Sequence, residues 1–180
     1  MPRIDVRPLS ADNWQDFARL FSARGGPHYC WCTLYRFRDA QRMSSGKKQA
    51  SMKRLVSDET PVGVLAHAGD EPVGWCSIAP RESYVKLARS RTMPRVTDPE
   101  TVTWTVLCFF VARPYRRQGV TKALLRGAVA YARAERAAVI EAYPFDTAGI
   151  SATHRGHSSL FEAAGFRRDG KRWALLLARP

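Results

Sequence analysis

The sequence predicts a single α/β (α+β) domain, with a mixed, mostly antiparallel sheet flanked by helices. Three observations predict it. Strand-like segments meet across short glycine turns at Gly69-Asp70 and Asp169-Gly170, which reads as two hairpins. An apolar run ending at Val111 is followed by a helical apolar period and then by another strand, the mark of a parallel crossover. At 180 residues, with no linker and no internal repeat, the chain suits one core. The domain is therefore taken as 1–180, with 1–59 as an N-terminal part and 60–180 as the remainder.

In order, residues 4–8 alternate apolar and polar and read as a first strand. Ser10 is positioned to cap a helix whose apolar stripe is Trp14, Phe17, Ala18 and Phe21. Gly25-Gly26-Pro27 ends that helix. Residues 28–35 are dense in aromatics and sulfur, a composition that usually packs into a core. Between 36 and 54 lie seven lysines and arginines against one aspartate, which suggests a wet helix face running on to about Ser57. Residues 60–68 and 71–80 form the first predicted hairpin; Trp75 within it faces either core or cleft. Residues 81–93 are basic and read as a short helix and loop.

Residues 101–111 are the predicted central strand. Arg113-Pro114 breaks it, because proline has no N–H to donate and holds the preceding residue extended. Val120, Leu124, Leu125, Ala128, Val129 and Ala132 then recur at helical spacing. Residues 138–143 form a further strand, 145–155 a polar loop, and 166–177 the second hairpin. His154 and His157 flank the start of the last helix.

The informative stretch is Arg116-Arg117-Gln118-Gly119-Val120-Thr121, between the central strand and the long helix. First-turn N–H groups lack partners within their helix, and the helix dipole adds partial positive charge there. With no carboxylate in the turn, glycine at its centre and two arginines beside it, this is an anion site.

Arg116-x-x-Gly119-x-Thr121 after a hydrophobic strand resembles the pyrophosphate-binding signature of the GNAT superfamily, the GCN5-related N-acetyltransferases. Thr121 fills a slot usually held by glycine or alanine, and the proline stands one place later than usual. Leu160-Phe161-Glu162-Ala163-Ala164-Gly165-Phe166 resembles that family's Leu-Tyr-Glu-Lys-x-Gly-Phe segment. The resemblance is firm over about 60–170. It implies a GNAT fold and transfer of an acetyl group from acetyl-CoA to an amine, with a small molecule as the leading acceptor. It assigns backbone groups of Phe109, Phe110 and Val111 to the pantetheine, on a strand splayed from its neighbour. It assigns Arg116, Arg117, Gln118, Gly119, Val120 and Thr121 to the pyrophosphate. The 1–59 part would form the acceptor-side wall, with Trp31, Cys32 and Trp75 as acceptor-binding candidates. Dimers are common in that family.

Two positions depart from the pattern. The central strand carries no glutamate, and Phe161 stands where a general-acid tyrosine is usual. Glu141 and Tyr143, two apart and so on one face of a strand, are the replacement candidates for base and acid. Against this stands a plainer reading, in which Glu141 pairs with an arginine and Tyr143 packs. His154 and His157 are the next candidates for base.

Composition adds bounds. With 45% hydrophobic residues the chain is not a disordered tail. No apolar run approaches a membrane span, and Met1-Pro2-Arg3 leads into a strand, so a soluble, cytoplasmic protein is expected. The four cysteines (Cys30, Cys32, Cys76, Cys108) favour buried free thiols; His28, Cys30 and Cys32 lack a second ligand pair for zinc. A net charge of +13 steers anions inward, coenzyme A included. Two alternatives follow: an acyl-CoA-binding protein with little turnover, and an acetyltransferase whose acceptor is attached to nucleic acid, such as charged tRNA.

Overall fold

The computed structural model describes residues 3–146 and 153–177. The first two residues and the middle of the polar loop expected over 145–155 lie outside the described residues. Among the described residues, seven strands make one sheet: β1 (Ile4–Pro8), β2 (Val64–Ala68), β3 (Glu71–Pro80), β4 (Thr103–Val111), β5 (Val139–Ala142), β6 (Arg167–Asp169) and β7 (Arg172–Leu176). Their order is β1-β2-β3-β4-β5-β7-β6. Only β4 and β5 pair in parallel; every other neighbouring pair is antiparallel.

The helices are α1 (Trp14–Ser22), α2 (Ser45–Ser57), α3 (Val120–Ala134) and α4 (Ser158–Glu162). Leu124, Leu125 and Ala128 of α3, with Phe161 of α4, pack on Val64, Ala66, Val73, Val106 and Ile140. Trp14, Phe17 and Phe21 of α1, with Met52 and Val56 of α2, pack on Leu65 and Trp75 from the other side. Both faces of the central strands are thus covered, which is why β2 and β3 are buried along nearly their whole length.

Two local readings are corrected. Ser10 does not cap α1; Asn13 precedes the helix, and its side chain turns back to the strand instead. Its Nδ2 donates to Pro8 O at 2.9 Å while Oδ1 accepts from Ser10 N at 2.9 Å, so it fastens the β1–α1 connection. Arg36 is not on a wet face. It lies before α2, buried under β3, and donates to Val62 O at 2.7 Å, Tyr84 OH at 3.2 Å and Ser77 Oγ at 3.3 Å.

One feature of β4 escaped the sequence reading. Ser77 of β3 pairs with Cys108 and Ile78 with Val106, so Leu107 is an extra residue, a β-bulge. Before it Trp104 and Val106 face the α3 side, and after it Phe109 and Val111 do. Cys108 and Phe110 consequently face α1.

Candidate active site

The bulge coincides with a second break. The β4–β5 ladder ends at the pair Val106–Ala142, so residues 107–111 have no strand partner on that side among the described residues. That is the stretch the family resemblance expects to be splayed from its neighbour. Phe109 is buried toward α3, and Phe110 and Val111 are half-buried. An unpaired strand edge leaves main-chain donors and acceptors for a bound molecule.

Beyond Val111 a single 3-10 turn (Arg113–Tyr115) redirects the chain, as the proline predicts. Arg116 Nε then donates to Val111 O at 3.0 Å, and Gln118 Nε2 to Pro114 O at 2.7 Å. These bonds tie the turn from both ends. Arg117 and Gly119 adopt left-handed backbone, with φ of 61° and 79°. Gly119 sits at the N-cap of α3, and a Cβ built on it would meet nothing within 4 Å. The space above the turn is open, and the first backbone bond there is Ala123 N to Gly119 O at 3.0 Å. Arg116 and Arg117 are exposed beside it, Thr121 is half-buried, and Val120 anchors the helix in the core. These residues fit a phosphate-bearing group: free first-turn amides, two cations, no carboxylate and room.

Beside this turn a cavity of about 870 Å³ opens between the C-terminal end of α1 and the ends of β3 and β4. Arg19, Arg24, Arg113 and Arg116 line it, with Glu71 and Phe110. Its wall is strongly basic.

Glu141 and Tyr143 do share one side of the sheet, yet neither opens on a cleft. Glu141 is 0% exposed and forms a buried ion pair with Arg81. Its Oε1 also accepts from Thr105 Oγ1 at 2.8 Å. Arg81 further donates to Met93 O at 2.7 Å and Tyr143 OH at 3.2 Å, and Tyr143 OH donates to Pro94 O at 2.8 Å. Burial and the Glu141 charge push the Tyr143 phenol up to about 12. A sealed, paired carboxylate is badly placed to collect a proton from an amine in a cleft. Glu141, Arg81, Thr105 and Tyr143 form one buried network. Thr105 pairs with Glu141 one rung before the ladder ends, so the network pins the vertex of the split.

The acceptor candidates are similarly buried. Trp75 is 0% exposed, edge-on to Phe17 with ring centroids 4.8 Å apart, so of its two readings the core is the one observed. Trp31 packs on Phe21 and donates Nε1 to Ser45 Oγ at 2.9 Å. Cys32 is 8% exposed behind them. His157 Nδ1 lies 3.9 Å from Asp146, both exposed. His154 is on a 3-10 turn (Thr153–Arg155) that lies against β4.

The sequence profile of the Acetyltransferase (GNAT) family matches residues 14–155. The chain belongs to the GNAT acetyltransferase family. No curated protein matches it. Among solved structures it is similar to the Brucella melitensis GNAT family acetyltransferase in complex with acetyl-CoA. That likeness has 11% identity and a TM-score of 0.53, over 99% of this chain and 90% of the other. YncA from Salmonella typhimurium, with its cofactor acetyl-CoA, gives 13% and 0.60 over 97% and 94%. A GCN5-related N-acetyltransferase from Kribbella flavida gives 14% and 0.51 over 92% of this chain but 33% of its own length. This chain thus spans about a third of that protein. At such identities the likeness is one of fold. Acetyl-CoA is the co-substrate of the GNAT family.

Within that GNAT frame, Phe161 is fully buried against Phe166 at 5.3 Å and faces Phe109 at 6.2 Å. A hydrocarbon ring fills the place where the family resemblance expects a tyrosine. Arg81, Thr105 and Leu107 are the site-shaping residues that the sequence reading missed. A buried arginine has no sequence signature of its own; a lone Thr on an apolar strand is the faintest of hints.

Proposed function

We propose that this GNAT chain transfers an acetyl group from acetyl-CoA to an amine of a small-molecule acceptor by direct attack. The observation that carries the reading is the coupling of two openings: β4 loses its β5 partner beyond Val106, and the next turn presents the uncovered head of α3 around Gly119. When bound, the co-substrate supplies an acyl thioester. The protein's contribution is then to position it: backbone of Phe109, Phe110 and Val111 along one part, amides of 117–121 and both arginines around its phosphates. The amine must attack neutral, and with Glu141 sealed we assign the proton-accepting role to His154, beside the split strand. The basic cavity disfavours polycationic acceptors and suits an amine that also carries an anionic group.

Gly119→Glu tests the reading, because it adds volume and negative charge at the open turn. We expect calorimetric CoA affinity to be lost in a folded variant; unchanged affinity refutes the site. Thiol release over a panel of amino acids, amino phosphates and polyamines then tests the acceptor class. A second reading, an acyl-CoA binder with little turnover, is favoured by the sealed Glu141. Tight CoA binding with no amine-dependent thiol release would establish it instead.

A further inference from the structure

Past the end of the β4–β5 ladder, the 3-10 turn Thr153–Arg155 lies against β4. The residue after it is fixed from both strands. Gly156 O accepts from Phe145 N at 3.1 Å, on the chain leaving β5. A Cβ built on Gly156 would lie 3.3 Å from Phe109 Cε2 and 3.0 Å from Phe161 Cε2, both rings of the α3 face. The guanidinium of Arg155 reaches toward the other face. Its Nη1 donates to Met93 Sδ at 3.9 Å, and Met93 packs in one cluster with Tyr143 and with Leu107, the bulge residue. The side chain thus crosses the opening near its vertex at Val106 and Ala142.

The surroundings suit a charge poorly. Methionine sulfur is a weak acceptor, and Phe145 offers only its ring face, 5.3 Å from the guanidinium carbon. Arg155 Nε is buried and has no partner. Among the described residues no carboxylate pairs with Arg155, whereas the other charges at this end of β4 are matched. Arg81 is paired with Glu141, and Tyr143 OH donates to Pro94 O at 2.8 Å. Phe109 and Phe161 are hydrocarbon and donate nothing. A half-buried cation with an unused N–H is costly unless an anion completes it.

We propose that Arg155 is a catalytic residue that meets the negative charge formed on the sulfur of the co-substrate. The inference rests on the acetyl-transfer reading above. In that reaction the acceptor nitrogen bonds to the acetyl carbon, the C–S bond breaks, and its electron pair stays on sulfur. The proton of the amine passes to His154. One thioester and one amine thereby give one amide, one thiolate and one proton. A fixed cation stabilises the thiolate without moving a proton of its own. The thioester itself is neutral, so the attraction grows as the bond breaks and favours the transition state over the bound substrate.

The test reads the thiol of bound CoA. Ultraviolet difference spectra of the full chain with and without saturating CoA, taken against pH, give the midpoint of thiolate formation in the parent, Arg155→Lys and Arg155→Met. A neighbouring opposite charge favours an ionised group by about 1–3 pH units, so the midpoint in Arg155→Met should rise by about one unit or more. Arg155→Lys keeps the charge and should fall between the two, and calorimetric CoA affinity should stay close to that of the parent. With a verified acceptor, Arg155→Met should lose about a hundred- to a thousand-fold in kcat. Added guanidinium ion should restore part of that loss in Arg155→Ala, which a merely structural role would not allow. An unmoved midpoint in folded Arg155→Met and Arg155→Lys overturns the proposal, and so does a loss confined to CoA affinity. A parent chain that does not bind CoA overturns the acetyl-CoA reading together with it. A midpoint that moves while no amine releases thiol supports the contact of Arg155 with sulfur and fails the transfer reading alone.

Discussion

A carboxylate held by Arg81 behaves differently from one waiting at a cleft, and the difference can be measured. Glu141→Gln leaves the Arg81 guanidinium buried and unpaired, so it should cost about 3–5 kcal/mol of stability. Replacing both partners by apolar residues of similar volume should cost far less, since the desolvation of both charges disappears as well. Thermal or urea unfolding of Glu141→Gln and of an Arg81→Met, Glu141→Leu double variant checks this. A Glu141→Gln protein of full stability but reduced turnover would return the catalytic role to that residue. Cys32 gives a second expectation at this scale. Its thiol is lowered from 9.0 to about 6, so its contribution to stability is full above pH 9 and lost as pH falls through about 6. Cys76 and Cys108 are raised and act oppositely, but only above pH 9. Under reducing conditions the stability gap between the parent and Cys32→Ser should therefore widen from pH 6 to 9. A gap independent of pH would mean that Cys32 stays a thiol.

At the scale of elements, the head of α3 works only because its body is held against the sheet. At Gly127 helix and strand lie close: a Cβ built there would lie 2.3 Å from Val6 Cγ1 and 2.7 Å from its Cβ. Alanine favours a helix over glycine by about 1 kcal/mol, whereas overpacking costs about 1–3 kcal/mol. Val6 is β-branched and cannot rotate its Cβ away, so the clash should win and Gly127→Ala should be destabilising. Val6→Ala should relieve it, giving a favourable coupling in a double-mutant cycle measured by urea unfolding. Additive effects would show that β1, an edge strand, simply shifts. The bulge at Leu107 belongs to this scale too. It exchanges the faces of β4 at the point where β5 leaves, so one strand packs normally up to Val106 and offers an unpaired edge afterwards.

For the whole molecule, the net charge of +13 acts as a field more than as a set of contacts. The basic cavity beside the Gly119 turn concentrates it where an anionic ligand would arrive. CoA affinity should therefore fall as salt rises, because exposed arginines are screened within a Debye length. RNA binding, if any, should fall far more steeply, since each phosphate contact releases a counterion. Titrations of CoA and of an unstructured RNA across one salt series compare the two slopes. RNA affinity that survives high salt would point to a specific site and to the nucleic-acid-linked acceptor. None of the helices among the described residues is long and apolar enough to cross a membrane.

What the sequence determined by itself was everything encoded between near neighbours. Apolar spacing marked α3, glycine turns marked the hairpins at 69–70 and 169–170, and Arg116 to Thr121 marked the open turn at the head of α3, all within a few residues of themselves. The end of β4 was legible for the same reason, because Pro114 acts on its own backbone. Tertiary structure alone decided the fate of Glu141, whose partner Arg81 lies 60 residues away. It also decided that Trp75 is core, that Arg36 is buried, and that Leu107 is one residue too many for its neighbour strand. A side chain's charge, exposure and register depend on what the fold brings opposite it, and long-range partners leave no periodic trace in the chain.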